Sequence, residues 1–329
     1  MQFDQLKRRD FITLLGGAAA VIPLTRAVAQ RRPVRIGWLV FGGATLGPID
    51  QSLKDALAER GLVDGRSIEL LYRYANGVPA ELPNLAQELV AQKPDLLLAI
   101  GGDIIKALFD ASKGTIPIAG AVSDSPMRAG IAASLARPSK NFTGLTFLTD
   151  EMAEKRMELL KDVVPSTRRV AAIFNPQHLD DEMRFARRGA DSLGIELTAY
   201  PINDVAELDK ALDAASASGA DSLFVIASRM TNFFAAKIAK YGEERQLPVI
   251  ASWREFATAG ALLSYGPSRA FEAKRLAGYV EKIVNGAKPA DLPTEQPVKF
   301  ELVINLKTAR ALGLNISRDF LLRADELIE

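Results

Sequence analysis

From Val34 onward the chain alternates short apolar runs with longer stretches of helical period, many times over. Runs such as Leu96-Leu97-Leu98-Ala99-Ile100 contain no polar face, as a strand buried on both sides requires. Such alternation predicts parallel sheets with helices on both faces. A first series of strands falls at 34–40, 67–74, 96–100 and 116–122, with helices near 48–60, 81–92 and 103–112. A second series follows the segment 141–149, with a helix at 150–163 and strands at 169–174, 196–200, 222–226 and 248–251. The punctuation repeats. Gly61-Leu62 and Gly194-Ile195 are helix stops that feed the second strand of each series. Each fourth strand is entered through a proline, Pro117 or Pro248. We read two copies of one βα architecture; two unrelated α/β domains are the competing reading.

Beyond these copies come a strand at 262–265, an amphipathic helix at 268–285, a proline-containing connector at 286–294, and a last strand and helix at 300–304 and 306–313. Such a tail can return to the first lobe and cross again. Several crossovers make a hinge, because rigid lobes joined by a few extended segments close by rotating there. The fold class is therefore α/β, two doubly wound parallel-sheet lobes joined by a multi-crossover hinge. The expected divisions are an N-terminal lobe at 33–145, rejoined by part of 266–329, and a C-terminal lobe at 146–265. Residues 266–329 form the crossover helix, connector and terminal strand and helix.

The first thirty residues stand apart from this pattern. Lys7-Arg8-Arg9 precede an apolar stretch from Phe11 to Pro23, and Ala27-Val28-Ala29 is a small-residue cleavage site. The run R-R-D-F-I-T resembles a twin-arginine export signal, which makes 1–29 a leader cleaved after about Ala29 and the export machinery a partner. A surface amphipathic helix is the alternative. With no cysteine after the cleavage site, lipid anchoring is excluded and the expected location is a periplasm.

Composition narrows the chemistry. Forty-one Lys plus Arg against forty Asp plus Glu give a net charge of +1, so nothing signals nucleic acid or an anionic membrane surface. No apolar run reaches the roughly 18 residues that span a bilayer. Zero cysteines remove disulfides, thiolate catalysis and cysteine zinc sites, and the single histidine, His178, has no nucleophile-elbow G-x-S-x-G to serve. His178 reads as a polar residue in the loop after a strand. The segment G-G-A-T-L-G after the first strand misses the G-x-G-x-x-G spacing, and no phosphate-loop motif exists, so no cofactor is expected. No metal site is expected either, and the chain is expected to be a monomer.

Several segments together carry a family resemblance: L-V-A-Q-K-P-D-L-L-L-A-I-G-G, I-P-I-A-G-A-V-S-D, S-L-A-R-P-S-K-N-F-T-G-L-T-F, R-E-F-A-T-A-G-A-L-L-S-Y-G-P-S and K-F-E-L-V-I-N-L-K-T-A-R-A-L-G-L. With the leader run R-R-D-F-I-T-L-L-G-G-A-A-A, the chain resembles the ABC transporter substrate-binding proteins that include tryptophan and tyrosine receptors, within the type I periplasmic-binding fold. The resemblance implies a non-enzymatic receptor for a small molecule, with ABC permease and ATPase subunits as partners. Two positions depart from the usual pattern: Asp103 stands where Thr commonly follows the paired glycines, and Ser123 where Gly commonly precedes Asp124. Alternatives are a periplasmic sensory receptor of the same fold and a periplasmic α/β enzyme.

In open parallel sheets the crevice lies outside the carboxyl ends of the strands. Those ends are Phe41, Gly42, Gly43, Ala44, Gly101, Gly102, Asp103, Ser123 and Asp124 in the first lobe, and Asn175, Ser228, Arg229, Trp253 and Arg254 in the second. Asp103 and Asp124 are candidates to accept an ammonium group, Arg229 and Arg254 to pair with a carboxylate, and Phe41 and Trp253 to stack on an apolar or aromatic body. Each has a plainer reading: Asp103 as a helix N-cap, Gly101-Gly102 as a turn, the arginines as solvated rim charges, and Trp253 as core.

Overall fold

Successive side chains of strand β1 (Val34–Val40) point to opposite faces: Ile36, Trp38 and Val40 enter one apolar cluster, while Leu39 enters another. Burial on both faces explains why β1 carries no charged side chain from Ile36 to Val40. The computed structural model describes residues 32–122, 125–138, 141–147, 150–178 and 181–329. The expected leader at 1–29 and the candidates Ser123 and Asp124 lie outside the described residues.

The first half runs β1, α1 (Pro48–Glu59), β2 (Ile68–Tyr74), α2 (Leu82–Ala91), β3 (Leu96–Ile100), α3 (Gly102–Ser112), β4 (Ile118–Val122) and β5 (Phe142–Thr146). Its sheet is parallel throughout, in the order β2-β1-β3-β4-β5. The second half runs α4 (Met152–Val163), β6 (Arg169–Phe174), α5 (Glu182–Ser192), β7 (Glu196–Pro201), α6 (Val205–Ala217) and β8 (Ser222–Val225). It continues through α7 (Arg229–Phe233), α8 (Ala235–Glu244), β9 (Val249–Ala251), α9 (Arg254–Thr258) and β10 (Leu263–Pro267). Then come α10 (Arg269–Val284), β11 (Phe300–Asn305), α11 (Leu306–Ala311), α12 (Arg318–Leu321) and β12 (Glu326–Ile328). The second sheet has the order β12-β11-β10-β9-β8-β6-β7, parallel except where β10 meets β11.

Read from β7 to β10, the second sheet repeats the order of the first: second strand, first, third, fourth, fifth. The helix stops are also shared. Beyond α1 the Leu62 amide donates to Leu57 O at 2.9 Å, and beyond α5 the Ile195 amide donates to Ala190 O at the same distance. These bonds satisfy carbonyls that a helix end would otherwise leave without a donor.

One part of the architecture departs from the sequence expectation. Residues 142–146, read as part of a connector, form β5 and supply the fifth strand of the first sheet. The tail divides between the two halves. Helix α10 packs on α1, placing Leu276, Ala277 and Val280 among Leu53, Ala56 and Leu57. Glu295 then runs beside β5, exchanging backbone bonds of 2.8 and 3.0 Å with Thr146 and Gly144. Strands β11 and β12 extend the second sheet. The chain thus passes between the sheets after β5, between β10 and α10, and between Glu295 and β11. No helix among the described residues is long and apolar enough to cross a membrane.

Candidate functional site

Residues following β1, β3 and β5 line the same cavity as residues following β8, β9 and β10, so the carboxyl ends of the two sheets face each other. The cavity measures about 250 Å³, and its aromatic wall is Phe41, Phe147, Phe233 and Trp253. Asp50, Arg229, Asn232 and Arg269 supply most of the polarity. A smaller hollow of about 130 Å³ lies beside it, lined by Asp103, Lys106, Asn175, His178, Ser228 and Arg229 among others. Arg229 borders both.

The Arg229 guanidinium joins the two halves. Its Nε donates to Asp103 Oδ1 at 2.8 Å, and Nη2 pairs with Oδ2 of the same carboxylate. The guanidinium carbon lies 3.6 Å from the centroid of the Phe41 ring. Burial draws the Arg229 pKa down to about 9, still far enough above neutrality to keep the side chain charged. Its position follows from a capping box: Ser228 Oγ accepts from the Thr231 amide at 3.0 Å, and Thr231 Oγ1 accepts from the Ser228 amide at 3.0 Å. Ser228 is therefore the cap of α7, and Arg229 is the first helical residue.

This pair engages the Asp103 carboxylate across the crevice and leaves only Nη1 of Arg229 without a partner. Asp103 does not cap α3. The N-cap is Gly101, at φ +126, a backbone conformation that side chains oppose. Arg254 does not line the larger cavity: it is exposed, grips Glu326 through bonds of 2.6 and 2.7 Å, and faces a separate hollow beside α9. Ala44 is exposed and does not line the cavity. Phe41, Gly42, Gly43, Gly101, Arg229 and Trp253 do line it, whereas Gly102, Asp103, Asn175 and Ser228 line the smaller hollow. Asn175 Oδ1 accepts from the Gln177 amide at 2.8 Å, closing a turn that brings His178 to the same hollow. Burial lowers the His178 pKa to about 4, so the ring is neutral at physiological pH.

Trp253, 3% exposed, meets Phe147 edge to face at 6.1 Å and carries the Arg269 guanidinium over its ring at 4.4 Å. Arg269 Nη1 pairs with Glu255 Oε1 at 3.1 Å. Four buried polar atoms on the cavity's residues have no hydrogen-bond partner: Arg229 Nη1, Arg269 Nε, Trp253 Nε1 and Asn232 Oδ1. Asp50, the third residue of α1, adds a carboxyl that burial pushes up to about 6, with Arg269 pulling the other way.

Sequence reasoning missed Asp50, Phe147, Asn232, Phe233 and Arg269. Phe147 and Arg269 follow the fifth strand of each half, so extending the strand-end rule to β5 and β10 finds both. Asp50 and Asn232 lie inside helices and leave no such signal.

Beneath the second half of the site lies a wholly buried ion pair, Arg156–Glu182. Glu182 also accepts from the Ala227 amide at 3.1 Å and from Ser252 Oγ at 3.3 Å. Ala227 and Ser252 immediately precede the Ser228-Arg229 and Trp253 segments, so one carboxylate ties down both loops.

The profile of the family described as ABC transporter substrate binding protein matches residues 40–328. The tyrosine-binding protein of Clostridioides difficile strain R20291 is 25% identical over 267 residues, covering 79% of this chain and 74% of the relative. A conserved domain protein of Vibrio cholerae has a similar solved structure, with TM-score 0.81, 26% identity, and coverage of 90% of this chain and 100% of the other. A Streptococcus pneumonia protein solved in complex with L-Trp shares the fold at TM-score 0.80 and 21% identity, with the same coverage.

Proposed function

The chain belongs to the ABC transporter substrate-binding protein family, and from that premise we propose that it captures an amino acid or related carboxylate, with an aromatic body favoured. Capture occurs between the lobes, by rotation at the three connecting segments, and the closed form is presented to an ABC permease with its ATPase. The leader at 1–29 directs the protein to the periplasm, and the chain binds its ligand without transforming it.

The observation that carries this reading is the wall of the larger cavity. Four aromatic rings surround buried donors on Arg229, Arg269 and Trp253 that have no partner of their own. Buried polar groups in native proteins are nearly always satisfied, and a carboxylate-bearing ligand between aromatic walls would supply acceptors for donors of this kind. The ligands named for the C. difficile relative and the S. pneumonia neighbour, tyrosine and L-Trp, support the same class.

Mass spectrometry of small molecules that co-purify with the protein, followed by a thermal-shift panel of amino acids, aromatic acids and other carboxylates, tests the reading. A genuine ligand at a hundred times its dissociation constant adds about 2.7 kcal/mol of stability. A broad panel without a single shift overturns the ligand class.

A further inference from the structure

The charges around the larger cavity do not balance within the protein. Arg229 is committed to Asp103, and Arg269 to Glu255. Asp50 is the one carboxylate among the described residues that line the cavity, and no Lys or Arg nitrogen among the described residues lies within 4.0 Å of it. Among the described residues that line the cavity, both cations are thus held by carboxylates outside it, and Asp50 is left without an ion-pair partner. Apolar Ile49, Phe41, Phe147 and Trp253 share the wall, so water provides little screening.

We propose that Asp50 is a specificity-determining residue that receives the ligand's ammonium group, so that the cleft selects amine-bearing acids over their deaminated analogues. This rests on the reading of the cleft as a site for amino acids or related carboxylates, and it adds the feature that separates those two classes. The unsatisfied donors Arg269 Nε and Trp253 Nε1 belong to the same end of the cavity as Asp50, because Arg269 lies over Trp253 and shares a second hollow with Pro48 and Ile49 at the start of α1. A zwitterionic head therefore meets a carboxylate for its ammonium and two N–H donors for its carboxylate. The ligand body extends toward Phe41 and Phe233, where Arg229 Nη1 and Asn232 Oδ1 complete the far end. An analogue without the amine leaves the half-buried Asp50 without an ion-pair partner, which is the strong form of discrimination.

The test is calorimetric titration of the purified protein with L-tyrosine, L-tryptophan, 3-(4-hydroxyphenyl)propionate and indole-3-propionate, repeated on Asp50→Asn and Asp50→Glu. The wild type should prefer an amino acid to its deaminated partner by on the order of 100-fold. Asp50→Asn should erase that preference by weakening the amino acid while leaving the deaminated acid unchanged or tighter, and Asp50→Glu should retain part of it. Equal binding of both members of a pair, unaltered by Asp50→Asn, overturns the role of Asp50 and leaves the carboxylate reading standing. Failure of all four probes to bind overturns the aromatic carboxylate reading and the Asp50 assignment with it.

Discussion

The Asp50 carboxyl, raised from 3.8 to about 6, opposes folding whenever it is ionised. Because its folded pKa lies above its unfolded one, the native state holds the proton more tightly. The cost is absent below about pH 4, grows through the interval to pH 6, and is complete above it. Asp50→Asn is therefore expected to raise the unligated protein's melting temperature at pH 8 by about 2–4 °C, corresponding to roughly 1–2 kcal/mol, with no gain at pH 4. That figure is below the full shift because the residue is only half-buried. Melting curves at the two pH values check it. The same side chain shows where sequence legibility stops. Phe41, Gly42, Gly43, Gly101, Arg229 and Trp253 follow strands directly, and the rule that strand ends make the crevice places them on its wall. Asp50 lies one helical turn further on, in a position where solvated acidic residues are common, and only the approach of α10 and α9 encloses it. The Asp103–Arg229 pair was equally hidden, since 126 residues separate its members and no periodicity links the two halves.

Among the elements, α5 and its neighbours depend on the charge buried at the α5 start. Glu182→Gln should destabilise the protein by about 3–5 kcal/mol, because it removes the buried negative charge that pairs with Arg156 and accepts from the Ala227 amide and Ser252 Oγ. The double substitution Arg156→Met with Glu182→Leu should recover much of that loss. Urea denaturation of the three variants decides it: a double variant as unstable as Glu182→Gln would show that shape, not charge, is at stake. Long elements of clear period were readable. Strands β3 and β6 fall on the expected residues because their apolar runs end abruptly at Gly101 and Asn175, and β1 does so because Gly42-Gly43 close its run one residue beyond the strand. Short edge elements were not. Strand β12, Glu326–Ile328, has only three residues and pairs solely with β11, so its sequence shows no burial pattern. Helix α12 is four residues long and is defined by its Ser317 cap.

At the scale of the whole molecule, contacts across the crevice hold the halves together. Phe41 meets Phe233 edge to face at 5.6 Å, in addition to the Asp103–Arg229 pair and the Arg229–Phe41 stack. Arg229→Ala removes the stack and the ion pair together. We expect small-angle scattering to show a more expanded unligated form for this variant than for the wild type, and a shared ligand to restore compaction. Identical scattering from both unligated proteins would mean that other contacts hold the crevice shut. The divided tail has a consequence for assembly in time. A chain made from its N-terminus cannot complete the first sheet's cover until α10 exists, nor the second sheet until β11 and β12 do. Neither half can mature far ahead of the other. A nascent chain that has not reached residue 300 exposes β10 as an open edge, the kind of surface on which two unfinished molecules pair.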